Sequence, residues 1–181
     1  MPIISPLRSQ RLANLRPDIG DQYVAFRLRL AWFVLPIKSI YRVIPIQKHI
    51  PKVTFSGQSI PVVDVGKLLF GQVKVNIEQI PPLVVNGATV SAKPSLLIVQ
   101  GQQSSLEEME VSCPPLVGVL SNSQPALQRL TEQQFVQVPP TYSQRWNVDF
   151  IKSMTLPSVD CPSLFAIDVD ELIQAISKSD R

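Results

Sequence analysis

Asp64 and Asp168 are the carboxylates whose setting invites a catalytic reading. Each closes an apolar run, Ile60-Pro61-Val62-Val63 before the first and Leu164-Phe165-Ala166-Ile167 before the second, and the two lie 104 positions apart. Paired carboxylates can do general acid–base work. The repetition favours another role. Each Asp stands where an apolar strand gives way to a short helix with an apolar pair on one face, Leu68-Leu69 and Leu172-Ile173. There a carboxylate accepts from the free N–H groups of the first helical turn. Glu171, three residues after Asp168, adds a capping-box arrangement. His49 is the single histidine, and a general base needs a positioned partner that Lys48, Ile50 and Pro51 do not supply. Cys113 and Cys161 form no CxxC motif and leave a structural disulfide open. There is no Gly-rich phosphate loop and no cluster at metal-ligand spacing. The residues point away from an enzyme, with no catalytic residue, cofactor or metal expected.

The elements that hold these residues are short. Seventeen prolines punctuate the 181 residues, and interior proline costs a helix about 3 kcal/mol. The chain is 45% hydrophobic, enough for a sizeable core. Only 17% is charged, against about 25% ordinarily, which argues against a disordered tail protein. Strands are expected at Gln22–Arg29 and Trp32–Leu35, with a short helix from Ile37 to Val43 that carries Ile37, Ile40, Tyr41 and Ile44 at helical spacing. Strands then flank the turn Ser56-Gly57, and a helix capped by Asp64 ends near Gly71. Residues 72–93 read as a connector able to carry a hairpin at Asn86-Gly87. Further strands are expected at Ser95–Val99, Leu116–Leu120, Phe150–Leu156 and Ser163–Ile167. A weak turn or helix is expected near Ala126–Leu130, irregular chain over 131–149, and a last helix from Asp168. Each half thus reads strand, strand, short helix or turn, strand, capped helix. That is the pattern of two small β-barrels, each closed by a short helix.

The net charge of +3 is unevenly placed. Arg8, Arg11 and Arg16 make residues 1–20 a basic arm, and residues 22–63 hold Arg27, Arg29, Lys38, Arg42, Lys48 and Lys52 with no carboxylate. This stretch reads as a solvated basic face or as a docking face for an acidic partner. Tyr23, Phe26, Trp32, Phe33, Tyr41 and Phe55 fall in it too, and aromatics beside cations can stack single-stranded nucleic acid. Most of them occupy apolar strand positions, which suits a core better. The N-terminus lacks the pattern of a signal peptide, and the densest apolar stretch, Leu30–Ile37, is far shorter than the ~20 residues of a membrane helix. A cytoplasmic protein without membrane insertion is expected.

The segments Tyr23-Val24-Ala25-Phe26-Arg27-Leu28, Phe33-Val34-Leu35-Pro36-Ile37 with Ile40, Val43 and Ile44, and Gly57 with Ile60-Pro61-Val62-Val63-Asp64-Val65 together resemble the CheW-like domain. Leu97-Ile98-Val99, Val117-Gly118-Val119-Leu120 and Leu164-Phe165-Ala166-Ile167-Asp168-Val169-Asp170 support the resemblance. It spans a domain at 21–177, with one lobe at 21–71, the connector at 72–93 and a second lobe at 94–177. The resemblance implies two SH3-like five-stranded barrels around a shared apolar interface. It also implies a non-enzymatic adaptor between a chemoreceptor's cytoplasmic domain and a CheA-type histidine kinase, in a chemotaxis or motility array. A repurposed interaction or nucleic-acid-binding barrel is the alternative. The family's Asn-Leu-Arg-Gly turn is here Thr54-Phe55-Ser56-Gly57, with Ser56 in place of Arg. By resemblance the partner barrel meets this turn and a helix face around Ile40, Tyr41 and Val43. Phe55 serves either as its anchor or as core.

Overall fold

Strand β1 (Asp21–Leu28) turns back through Arg29 and Leu30 into β2 (Ala31–Pro36), and the pair is in register from Tyr23–Pro36 to Leu28–Ala31. In this computed structural model the described residues are 20–46, 52–55, 57–72, 81–101, 115–146, 148–159 and 161–179. The arm at 1–20, apart from Gly20, lies outside them, as do His49, Ser56 and Cys113. The first half continues with β3 (Ile40–Pro45), β4 (Lys52–Phe55), β5 (Gln58–Val63) and helix α1 (Val65–Phe70). The connector carries β6 (Val84–Val85) and β7 (Ala88–Thr89). The second half adds β8 (Ser95–Gln100), β9 (Leu116–Ser121), β10 (Ala126–Leu130), β11 (Phe135–Gln137), α2 (Pro140–Trp146), β12 (Ile151–Thr155), β13 (Leu164–Ile167) and α3 (Val169–Ser179).

Local expectations and observed elements differ in three places. The expected helix from Ile37 to Val43 is one 3-10 turn, Ile37–Ser39, followed by strand β3. Ile40, Val43 and Ile44 are β-branched and Tyr41 is aromatic, which suits a pleated surface, and β8 supplies a partner strand. Ala126–Leu130 is a strand rather than a turn or helix, because it pairs with the free side of β1 from Asp21–Leu130 to Ala25–Ala126. Residues 131–149 are not irregular: they hold the 3-10 turn Glu132–Gln134, β11 and α2. The Gln134 side-chain oxygen accepts from the Thr131 N–H at 2.8 Å. Pro140 opens α2, where its missing N–H costs nothing. The connector hairpin is present, with Asn86 at φ 51° and Gly87 at φ 78°, the left-handed pair that a two-residue turn of the right twist requires.

The strands form two curled mixed sheets with short helices. Their orders are β10-β1-β2-β13-β12-β11 and β3-β8-β9-β5-β4. Neither order returns to its first strand among the described residues; the two sheets are curled half-barrels, consistent with the expected pair of SH3-like barrels. The first five strands of one order match the other: an edge strand, an antiparallel hairpin, a strand parallel to the hairpin's second arm, and an antiparallel neighbour. The parallel pairs are β2–β13 and β9–β5. Strands β13 and β5 are the ones that run into Asp168 and Asp64. The hairpins are exchanged between halves. β1–β2 joins strands from the second half, and β8–β9 joins strands from the first, so the sheets cut across the lobes drawn at 21–71 and 94–177.

That exchange builds one core. Phe26, Leu28, Phe33 and Leu35 from one sheet share a buried cluster with Leu97, Val99, Val117 and Val119 from the other. Alternate residues Ala25, Trp32, Val34, Leu130 and Leu164 point to the opposite face, where Leu83 of the connector joins them. The Trp32 indole N–H donates to the Pro81 carbonyl at 2.9 Å.

Both aspartates cap helices. Asp64 Oδ1 accepts from the Lys67 N–H at 2.8 Å, and Asp168 Oδ1 accepts from the N–H groups of Asp170 and Glu171 at 3.1 and 3.2 Å. The expected return bond from Glu171 to the Asp168 N–H is not made, because that N–H donates to the Phe150 carbonyl at 2.8 Å. Glu171 pairs instead with Lys152 at 3.1 Å, and this hydrogen bond raises the Lys152 pKa. Asp64 does a second job: its Oδ2 pairs with Arg29 at 3.2 Å. Asp168→Ala should therefore cost about 1 kcal/mol, an ordinary cap loss. Asp64→Ala should cost more, and Asp64→Asn, which keeps an acceptor but not the charge, should fall between. Urea unfolding of the three variants checks this order; equal losses for the two alanine variants would contradict it.

Candidate partner-binding surface

Strand β3 lies at an edge of the five-stranded sheet and, among the described residues, pairs with β8 on one side only. Its register steps from Ile40–Val99 to Arg42–Ile98, so Tyr41 is an extra residue in a bulge. A bulge re-aims a side chain and twists an edge. Here it also places Ile40 and Val43, three residues apart, on the face shared with Val99 and Leu97. Ile40 is half-buried and packs against the main core. Tyr41 is 51% exposed and Val43 is 41% exposed, with Ile37 exposed in the turn before them. Pro45 ends the strand, where it can donate no further ladder bond. The result is a short edge of aromatic and aliphatic side chains. The expected helix face does not exist, but three of its residues lie together on this strand.

The other expected site residues lie elsewhere in the sheet. β4 and β5 pair from Lys52–Pro61 to Phe55–Gln58 around a two-residue turn. Gly57 is exposed at φ 78°, a backbone that glycine adopts without cost. The Phe55 backbone closes this hairpin; its side chain and Ser56 lie outside the described residues. β4 is the edge opposite β3 in the strand order, with β8, β9 and β5 between. Ile40, Tyr41 and Val43 are thus on one edge, and Phe55 and Gly57 on the other.

The basic stretch is less solvated than its composition suggests. Arg27 is only 7% exposed, lies over the Trp32 ring at 6.0 Å, and donates to the Asn122 carbonyl at 3.2 Å. Its burial lowers the guanidinium pKa. Arg29 holds the two sheets together from the β1–β2 turn. Its N–H donates to Asn122 Oδ1 at 2.6 Å, and its guanidinium reaches both Asp64 before α1 and the Gly71 carbonyl after it. A Cβ at Gly66 would come within 3.0 Å of the Arg29 side chain, so the glycine leaves room for this clamp. Arg29 carries φ 47°, unusual for a non-glycine residue, and an Arg-Leu pair between strands is no recognised turn signal. The clamp was therefore missed from sequence. Cys161 is half-buried and free, with its thiol pKa pushed up by burial. Among the described residues no group of three or more His, Cys, Asp or Glu could hold a metal ion.

No protein-family model matches the chain, and no curated protein matches it. Among solved structures it is similar to the scaffolding protein TtCheW from Thermoanaerobacter tengcongensis, at 14% sequence identity and a TM-score of 0.57. The match covers 86% of this chain and 88% of that one. The likeness is one of fold. It covers most of the chain, consistent with the CheW-like architecture expected from sequence.

Two surface variants separate docking from folding. Tyr41→Ser and Val43→Ser should each change unfolding free energy by no more than about 0.5 kcal/mol, as exposed positions do. Gly57→Ala should lose about 1 kcal/mol although nothing lies within 4 Å of the new methyl, because the cost is in the backbone. Thermal unfolding checks both; a large loss at Tyr41 would assign it to the core.

Proposed function

We propose that the protein is a non-enzymatic cytoplasmic adaptor. It holds a CheA-type histidine kinase and the cytoplasmic domain of a chemoreceptor together in a chemotaxis or motility array. The observation that carries this reading is the β3 edge, on which Tyr41 and Val43 are exposed, on a fold similar to that of a scaffolding protein. Exposed aromatic and aliphatic groups on a rigid edge are the material of interface anchors, where aromatics supply much of the energy. The kinase barrel docks on β3, with the Phe55–Gly57 turn as a second contact on the opposite edge. A nucleic-acid-binding barrel has less support, because Phe26 and Phe33 are fully buried and offer no face for a base.

Calorimetric titration with the purified regulatory domain of a CheA-type kinase tests the proposal. Binding is expected, and Tyr41→Ala should weaken it by about 2 kcal/mol while the unfolding transition stays in place. Ser56→Arg should strengthen it. Absence of binding, or binding indifferent to Tyr41, would overturn the assignment. A strongly salt-dependent affinity for single-stranded DNA would move the protein to the nucleic-acid class.

A further inference from the structure

A second surface lies away from β3, where the start of β2, the start of β13, the end of α1 and helix α2 converge. Five aromatic rings meet there. Phe165 and Trp146 are 4.8 Å apart edge to face, Tyr142 is 5.3 Å from Phe165, and Phe70 is 5.7 Å from Trp146. Phe33 lies 5.6 Å from Phe165 beneath them. All but Phe33 line an open cavity of about 340 Å³, rimmed by the exposed side chains of Leu30 and Tyr142.

One charged side chain lines this cavity, Arg145, and no acidic residue does among the described residues. Arg145 is exposed in the last turn of α2 and has no hydrogen bond or ion pair among the described residues. The arginines of β1 and its turn are committed to Asn122, Asp64 and Gly71; Arg145 is not. The cavity also continues. Pro81, Pro162 and Ser163 are shared with a second cleft of about 480 Å³, which Pro82, Pro157 and the fully exposed Val159 extend. A pocket that runs on into a proline-walled cleft, with no charged lining residue among the described residues, fits an extended chain better than a compact small molecule. Arg145, the one charged lining residue among those described, favours an acidic chain.

We propose that this groove binds an acidic peptide segment of a partner protein, with one aromatic side chain in the pocket and an adjacent carboxylate on Arg145. The aromatic ring packs edge to face against Trp146 and Phe165, and the guanidinium donates to both oxygens of the carboxylate in a two-pronged pair. The peptide backbone runs on past Pro81 and Pro162. The groove shares no residue with the β3 edge, so this inference stands whether or not a kinase docks there.

Trp32 and Trp146, the only two tryptophans of the chain, both line the pocket, so their emission reports directly on its occupancy. The probe is an acetylated peptide with one phenylalanine between pairs of glutamates, titrated into the full chain. A saturable emission change is expected. Replacing the phenylalanine by alanine, or the glutamates by lysines, should weaken binding at least about tenfold, which is 1.4 kcal/mol. Arg145→Glu should reverse the preference between the glutamate and lysine peptides, and Arg145→Gln should abolish it, both with an unchanged unfolding transition. No saturable change, equal binding of the phenylalanine and alanine peptides, or a charge preference untouched by Arg145→Gln would overturn the proposal. Phenylacetate alone binding as tightly as the peptide would also overturn it and assign the pocket to small aromatic acids.

Discussion

Leu28 and Leu35 are buried against Val99 and Val119, residues that arrive from the other half of the chain. The rest of the structure depends on this mutual burial. Each half sends its leading hairpin into the sheet completed by the other half, so neither sheet can assemble its inner strands alone. Burying a Leu, Val or Phe side chain is worth about 1.5–3 kcal/mol, and the shared cluster holds many of them. The two sheets are therefore coupled by their largest stabilising term, with the Arg29 clamp added at the β1–β2 turn. The ion pair of Arg29 with Asp64 is partly buried and ties one sheet's hairpin to the other sheet's helix cap.

This economy decides what remains for partners. The six-stranded sheet is covered on one face by the shared core and on the other by the connector through Leu83. The five-stranded sheet turns Leu97 and Val99 into the core and keeps Leu96 and Ile98 buried on its other face. Apolar side chains reach the surface where pairing or packing stops. At the edge of β3, the bulge puts Tyr41 outward. At the mouth of the aromatic cluster, Leu30 and Tyr142 rim a cavity. These are the separate apolar sites on which the proposed adaptor role rests.

Much of this was legible in the sequence because it is written locally. Partial alternation marks β1, a short apolar run marks β2 as its return strand, the Asn86-Gly87 pair marks a turn, and the repeated Asp marks both helix starts. The failures share one cause: long-range pairing. β3 has helical spacing of Ile37, Ile40 and Ile44, and only the distant β8 makes it a strand. β10 has no strong pattern of its own and is ordered by the free side of β1. The hairpin exchange is invisible to any reading that divides the chain in order, because it depends on which strands pair rather than on where they form. The site residues shared this fate. Ile40, Tyr41 and Val43 were found together, but on a strand, and the Phe55 turn proved to belong to the opposite edge. Arg29, in the middle of a stretch read only for its charge, carries the clamp that no motif announces.

The hairpin exchange makes the sheets one interlocked unit rather than two sequential lobes. Cutting the chain into fragments 1–80 and 81–181 and observing each alone and mixed, by circular dichroism and amide proton dispersion, tests it most directly. The hairpin exchange predicts that each fragment alone lacks native structure and that equimolar mixing restores the spectrum of the intact chain. A fragment that folds alone into its share of strands, with native dispersion and a cooperative unfolding transition, would contradict it.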